Sequence, residues 1–127
     1  MAIISVSIDP QTLQKLDQLS SELQLSGRSE AMRRAINHLV SETSQTQKLK
    51  GHTDCVLLVF HKHSAENVVT SLKHKFEDAI KTQLHANMHE GKCMELFLLE
   101  GPAERIKEMA RSFHGSKKID YTKLLPV

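Results

Sequence analysis

The sequence predicts an α+β fold in two parts, a strand with two helices followed by a βαββαβ unit, and three observations carry this. The opening "AIISVSID" alternates Ile4, Val6 and Ile8 against Ile3, Ser5 and Ser7, the period-two signature of a half-buried strand. Two runs of helical apolar spacing follow it before residue 42. Beyond "SETSQTQKLKG", which has no apolar periodicity, strand-like and helix-like patterns interleave to the end of the chain.

In order along the chain, Asp9-Pro10 supplies an N-cap and a first-turn proline, and Leu13, Leu16, Leu19 and Leu23 follow at helical spacing. "LSGRSE" interrupts that helix. Ser29 is placed to cap a second helix, whose stripe is Ala31, Met32, Ala35, Ile36, Leu39 and Val40. Residues 43–52 read as a linker or the frayed end of that helix. A strand is expected in "DCVLLVFHKH", then a helix from about Ala65 to Ile80 with Val68, Leu72, Phe76 and Ile80 stacked four apart. "LHANMHEGKC" then reads as a hairpin with its turn at Glu90-Gly91-Lys92 and "CMELFLLE" as its second strand. A helix after Pro102 carries Ile106 and Met109, and "KIDYTKLL" closes the unit. This order is the split β-α-β arrangement of ferredoxin-like folds. The domains expected are therefore 1–42, a linker at 43–52, and 53–127.

A chain of 127 residues with net charge +2 is one domain or two small ones, and small modules often need a second subunit or a metal. The mild charge does not announce nucleic acid by itself. No apolar run approaches a membrane span and no hydrophobic signal core follows a charged start, so no membrane partner and a cytoplasmic location are the expectation. A lone strand at residues 2–8 has no pairing partner within its segment, and pairing with the same strand of a second chain would satisfy its backbone.

Residues 2–42, through "SVSID" and "GRSEAMRRAI", resemble the ribbon-helix-helix family of DNA-binding proteins. That resemblance implies an intertwined dimer on double-stranded operator DNA, with Ile3, Ser5 and Ser7 facing base edges. Arg28 and the amides near Ser29 would clamp a phosphate at the start of the second helix. Ile3 departs from a polar reader and could offer contact only to a thymine methyl.

With both segments in this order, nearly the whole chain resembles the nickel-responsive regulator family. The resemblance implies a homo-oligomer, a dimer of dimers. It also implies a nickel ion held by two histidines and a cysteine of one hairpin and a helix histidine of another subunit. "LHANMHEGKCMELFLLEG" matches the first hairpin histidine at His85 and the cysteine at Cys93, and His74 in "SLKHKF" falls at the helix position. Glu95 matches an outer acceptor that would orient a ligand. The second hairpin histidine falls on Asn87, and Arg34 stands where the family often has an acidic residue. The fourth position is open to Asn87 or to His89. Residues two apart on a strand chelate easily, but His85 and His89 are four apart, roughly 13 Å by strand rise, so His89 would have to join Cys93 across the turn instead. A thiolate with imidazoles suits nickel, copper, zinc or cobalt.

Cys55 reads as core; His61 and His63 read as an exposed pair at a strand end or a weak accessory site; His38, His52 and His114 carry no pattern. Two other function classes compete: a ferredoxin-like sensor of a small organic ligand, which needs no thiolate on the hairpin, and an enzyme with Cys93 as nucleophile and His85 or His89 as base. The sequence supplies neither an oxyanion loop nor a third orienting residue for the latter.

Overall fold

A computed structural model describes residues 1–127. The chain divides into two compact units, Met1–Ser44 and Gln45–Val127.

In the first unit, α1 spans Pro10–Glu22. Asp9 starts it: its carboxylate accepts the Thr12 N–H at 2.6 Å, and Pro10 fixes φ in the first turn. It ends at Leu23, beyond which Gln24 takes φ 53° and the Leu25 N–H donates to the Ser20 carbonyl at 2.8 Å. The second helix, α2, spans Arg28–Gln47. It begins before Ser29, so Ser29 lies inside the first turn and is not its cap. The start is secured by Glu30, whose carboxylate accepts the Ser26 N–H at 2.8 Å and the Ser26 hydroxyl at 2.7 Å. The helix also continues through Gln47, into the segment expected as a linker. There the Thr43 hydroxyl donates to the Leu39 carbonyl at 2.9 Å, so a hydroxyl-rich stretch follows the helix rather than breaking it.

Residues 1–8 form no strand and are exposed. A strand exists through its ladder, and one copy of this segment has nothing to pair with. The apolar stripes are largely uncovered: α1 buries no residue and α2 buries only Ala31, while Ile4, Val6, Ile36, Leu39 and Val40 are all more than half exposed.

The second unit is β1 (His52–Lys62), α3 (Glu66–Lys75), β2 (Ile80–Asn87), β3 (Lys92–Pro102), α4 (Ala103–His114) and β4 (Ile119–Pro126). The sheet order is β2-β3-β1-β4 with every pair antiparallel, which is the ferredoxin-like arrangement. One face of the sheet carries the core: Leu57, Val59, Phe97 and Leu99 pack with Val69 and Phe76 of the α3 region and with Ile106, Met109 and Phe113 of α4. Cys55 is in this core, as its alternation suggests.

α3 stops at Lys75 instead of reaching Ile80. Phe76 leaves helical geometry (φ −116°, ψ 24°) and is fully buried, with the Arg105 guanidinium 4.5 Å above its ring. Arg105 Nη2 also donates to the Lys75 carbonyl at 2.6 Å, satisfying a helix-end acceptor. A single 3-10 turn, Glu77–Ala79, then carries the chain into β2. The other sheet face is covered by no helix of this unit. Leu58, Phe60, Leu84, Leu96 and Tyr121 lie there, with Leu84 and Tyr121 about half exposed.

Candidate metal centre

The registers of β2 with β3 and of β1 with β3 assemble the site. Asn87 is paired with Cys93, and Cys93 with His61; in the next row His85 is paired with Glu95, and Glu95 with Val59. Directly paired residues share a face. The donor face of the hairpin is therefore the core-bearing face, and the apolar set Leu84, Ala86 and Met88 faces the helix-free side. The sequence left this open, because "CVLLVF" is apolar at every position.

Cys93 is 1% exposed. Its Sγ lies 3.7 Å from Asn87 Oδ1, toward which the thiol donates, and 3.9 Å from His63 Nδ1. Burial pushes the Cys93 thiol above its ordinary pKa, and the carboxylates of Glu66 and Glu95 add to the rise, since both disfavour a second negative charge nearby. A bound cation reverses that logic, because a coordinated thiol is deprotonated.

Beneath the site runs a buried polar chain. His61 is completely buried, contrary to its expectation as an exposed strand-end residue, because it shares the parity of Cys55, Leu57 and Val59. Its Nδ1–H donates to the Lys62 carbonyl at 2.8 Å, and its Nε2 meets Glu95 Oε2 at 2.7 Å. Glu95, 2% exposed, also accepts from Lys73 Nζ at 3.3 Å. The His85 ring lies 6.3 Å from that of His61, centroid to centroid, so the exposed imidazole stands beside this chain. Glu95 thus touches His61 and Lys73.

Other candidates sit elsewhere. His74 is exposed on α3, and its Nδ1–H donates to Glu77 Oε1 at 2.7 Å. His89 is not on the strand at all: β2 ends at Asn87, and His89–Gly91 form a tight turn in which Glu90 takes φ 58° and Gly91 φ 71°. The residue across from Cys93 is therefore Asn87, not His89. Within one chain no three His, Cys, Asp or Glu side chains are grouped to hold a metal ion. The donors that are grouped, a thiol with an imidazole nitrogen and an amide oxygen, fit a borderline transition metal in type. In the first unit, Ile3, Ser5 and Ser7 are exposed. Arg28 is exposed too, but its guanidinium binds Asp17 of α1 at 2.9 and 3.1 Å.

Sequence reasoning named His61 and His63 only as an exposed strand-end pair or a weak accessory site, and passed over Lys73. The parity of His61 with the β1 core residues was a legible signal; the lift of His63 over Cys93 depends on a turn and was not.

Comparison with known proteins places these features in a family. Residues 55–127 match the NikR C-terminal nickel-binding domain, and residues 2–43 match ribbon-helix-helix proteins of the copG family. A protein of Halobacterium salinarum named as a nickel-responsive regulator is 31% identical over 100% of this chain and 93% of its own length. One from Methanopyrus kandleri, named likewise, is 29% identical over 97% of this chain and 89% of its own. Among solved structures, the uncharacterised protein TM1266 of Thermotoga maritima matches with a TM-score of 0.56 at 15% identity, covering 61% of this chain and 99% of that one, a likeness of fold alone. The chain belongs to the nickel-responsive regulator family, a family of ribbon-helix-helix transcriptional regulators and not of enzymes.

Proposed function

We propose that this protein is a cytoplasmic, metal-responsive repressor-type regulator that grips operator DNA through a dimeric ribbon and senses a divalent transition metal, nickel first, at the β2–β3 hairpin. One observation carries the reading: a fully buried thiol, Cys93, sits against nitrogen and oxygen donors in a chain whose other unit matches a DNA-binding family. Cys93 and His85 would hold the ion from one chain. His74 would join from a neighbour; its Nδ1 is engaged by Glu77, which leaves Nε2 for the metal. Glu95, paired with His85 across the two strands and bonded to the buried His61, would act from behind. When bound, the ion links subunits and so biases which arrangements of the DNA-binding dimers are populated.

The assembly is a dimer of dimers on this reading. The uncovered stripes of α1 and α2 support pairing in the first unit, and the apolar, helix-free sheet face supports it in the second, since each would otherwise leave large apolar side chains in water. Ile3, Ser5 and Ser7 would meet base edges, while Arg28 and the amide of Ser29 would meet a phosphate. Asn87 gives a second reading some weight: an amide oxygen opposite Cys93 in place of an imidazole weakens the case for square-planar nickel and leaves zinc, cobalt or copper as alternatives for a thiolate with imidazoles. The test is selection from a random duplex pool with and without added nickel. Metal-dependent enrichment of one inverted repeat is expected; identical pools would overturn metal-responsive DNA binding.

A further inference from the structure

We propose that His63 is a metal ligand of this chain, supplying beside Cys93 the imidazole that position 87 lacks; the inference rests on the metal-sensing reading above. The imidazole nitrogen in hydrogen-bond contact with the buried thiol belongs neither to His85 nor to His89. It is His63 Nδ1, 3.9 Å from Cys93 Sγ. Its placement follows from the local fold. His61 is paired with Cys93 at the end of the β1–β3 ladder, the strand ends at Lys62, and His63 opens a 3-10 turn, His63–Ala65. That turn takes His63 out of strand alternation, so residue 63 is not buried beside residue 61 but stands at the rim of the sheet, its side chain 68% exposed and able to adjust.

The separation suits chelation. With metal–sulfur and metal–nitrogen bonds of roughly 2.3 and 2.0–2.1 Å, a tetrahedral ion sets its sulfur and nitrogen donors about 3.6 Å apart and a right-angled one about 3.1 Å. The observed 3.9 Å closes to the tetrahedral value through a small side-chain rotation, with no change in the backbone. Glu66 Oε2 lies 3.4 Å from the same His63 nitrogen; a metal ion on Nδ1 would replace that contact, with the ring proton on Nε2, and the carboxylate would stay beside the cation. Asn87 Oδ1, 3.7 Å from the thiol, completes the ring of donors as a weak neutral oxygen. The chain therefore gathers its donors from three segments, the end of β1, the end of β2 and the start of β3. A pair of histidines two apart on one strand is not needed.

Full-length protein, stripped of metal, is titrated with cobalt(II) and then nickel(II), following the sulfur-to-metal charge-transfer band, the visible cobalt bands and affinity by competition with a chelator. Far-UV circular dichroism and elution volume check that each variant is folded and assembled. Cys93→Ala should abolish the charge-transfer band. His63→Gln should keep the band but lower affinity by about tenfold or more, since even groups behind a ligand are worth 10–100-fold, and should change the cobalt bands. Adding Asn87→His to His63→Gln should restore affinity by returning an imidazole opposite Cys93. If Cys93→Ala abolishes the band while His63→Gln leaves affinity and spectra unaltered, the role of His63 is overturned and the hairpin site stands. Should Cys93→Ala leave metal binding intact, the hairpin site itself falls, and the His63 assignment with it.

Discussion

Replacing His61 by Leu is the most direct probe of the buried polar chain. The substitution preserves much of the side-chain volume, so the cavity contribution is small, but it removes the donor 2.7 Å from Glu95 Oε2. A carboxylate only 2% exposed is then left with one ammonium at 3.3 Å. Breaking a buried pair from one side costs about 3–5 kcal/mol, because the remaining charge stays desolvated without adequate compensation. For a chain of this size that corresponds to a fall in Tm of roughly 10–20 °C. Replacing both partners, His61→Leu with Glu95→Leu, removes the orphaned charge; Lys73, partly exposed, can turn to water. The double variant should therefore lie well above the sum of the singles, with a coupling of about 2 kcal/mol or more. The assay is urea unfolding of metal-free protein at one fixed concentration, since subunit association contributes to apparent stability. A single variant within about 0.5 kcal/mol of the parent, or two singles that simply add, would refute the account of this chain as a coupled buried unit.

Further expectations concern DNA, metal and pH. Arg28→Ala should weaken DNA binding across all sequences and flatten its salt dependence, whereas Asp17→Asn, which frees the guanidinium now held at 2.9 Å, should strengthen binding at low salt; unchanged affinity in both variants would exclude Arg28 from phosphate contact. Asn87→His should raise nickel affinity and move the spectrum toward square-planar character, while His89→Ala, a change in the turn, should leave both as they are; the opposite pattern in a competition titration would place the ion at the turn. The Asp78 carboxyl is held below its ordinary range, chiefly by the hydrogen bonds from Arg105. It therefore protonates less readily folded than unfolded, so its stabilisation is complete above the unfolded value near 4 and is lost as pH falls through the lower folded value. Asp78→Asn should flatten the acid limb of a Tm-against-pH profile; profiles that stay parallel would contradict this.

Where local chemistry sets the structure, the sequence was a sufficient guide. Asp9-Pro10 starts α1 as its side chain and ring dictate, and the βαββαβ order survives intact because each element has its own apolar period. Where a partner or a turn decides, it was not. The alternation of residues 2–8 is a strand pattern, but a single copy has no ladder to join. The hydroxyl-rich segment after residue 41 read as linker or as the frayed end of a helix, and the second of these is found: α2 continues to Gln47, with the Thr43 hydroxyl bonded back to the Leu39 carbonyl. In the candidate site, the positions of Cys93 on β3 and His85 on β2, on one face of the hairpin, were legible from the strand alternation. His61 was misjudged because its end-of-strand position outweighed its parity, and His89 because the turn begins at His89 itself, one residue earlier than expected. His63 was out of reach, since only the 3-10 turn after β1 brings it to the thiol.

The central claim is that Cys93 anchors a transition-metal ion in a regulator that also binds DNA. Metal analysis of protein purified under native conditions, run beside Cys93→Ala, addresses it most directly. One transition-metal ion per chain in the parent and loss of that ion in the variant is the predicted result; a parent without transition metal after nickel loading, or a variant that retains it in full, would contradict the account.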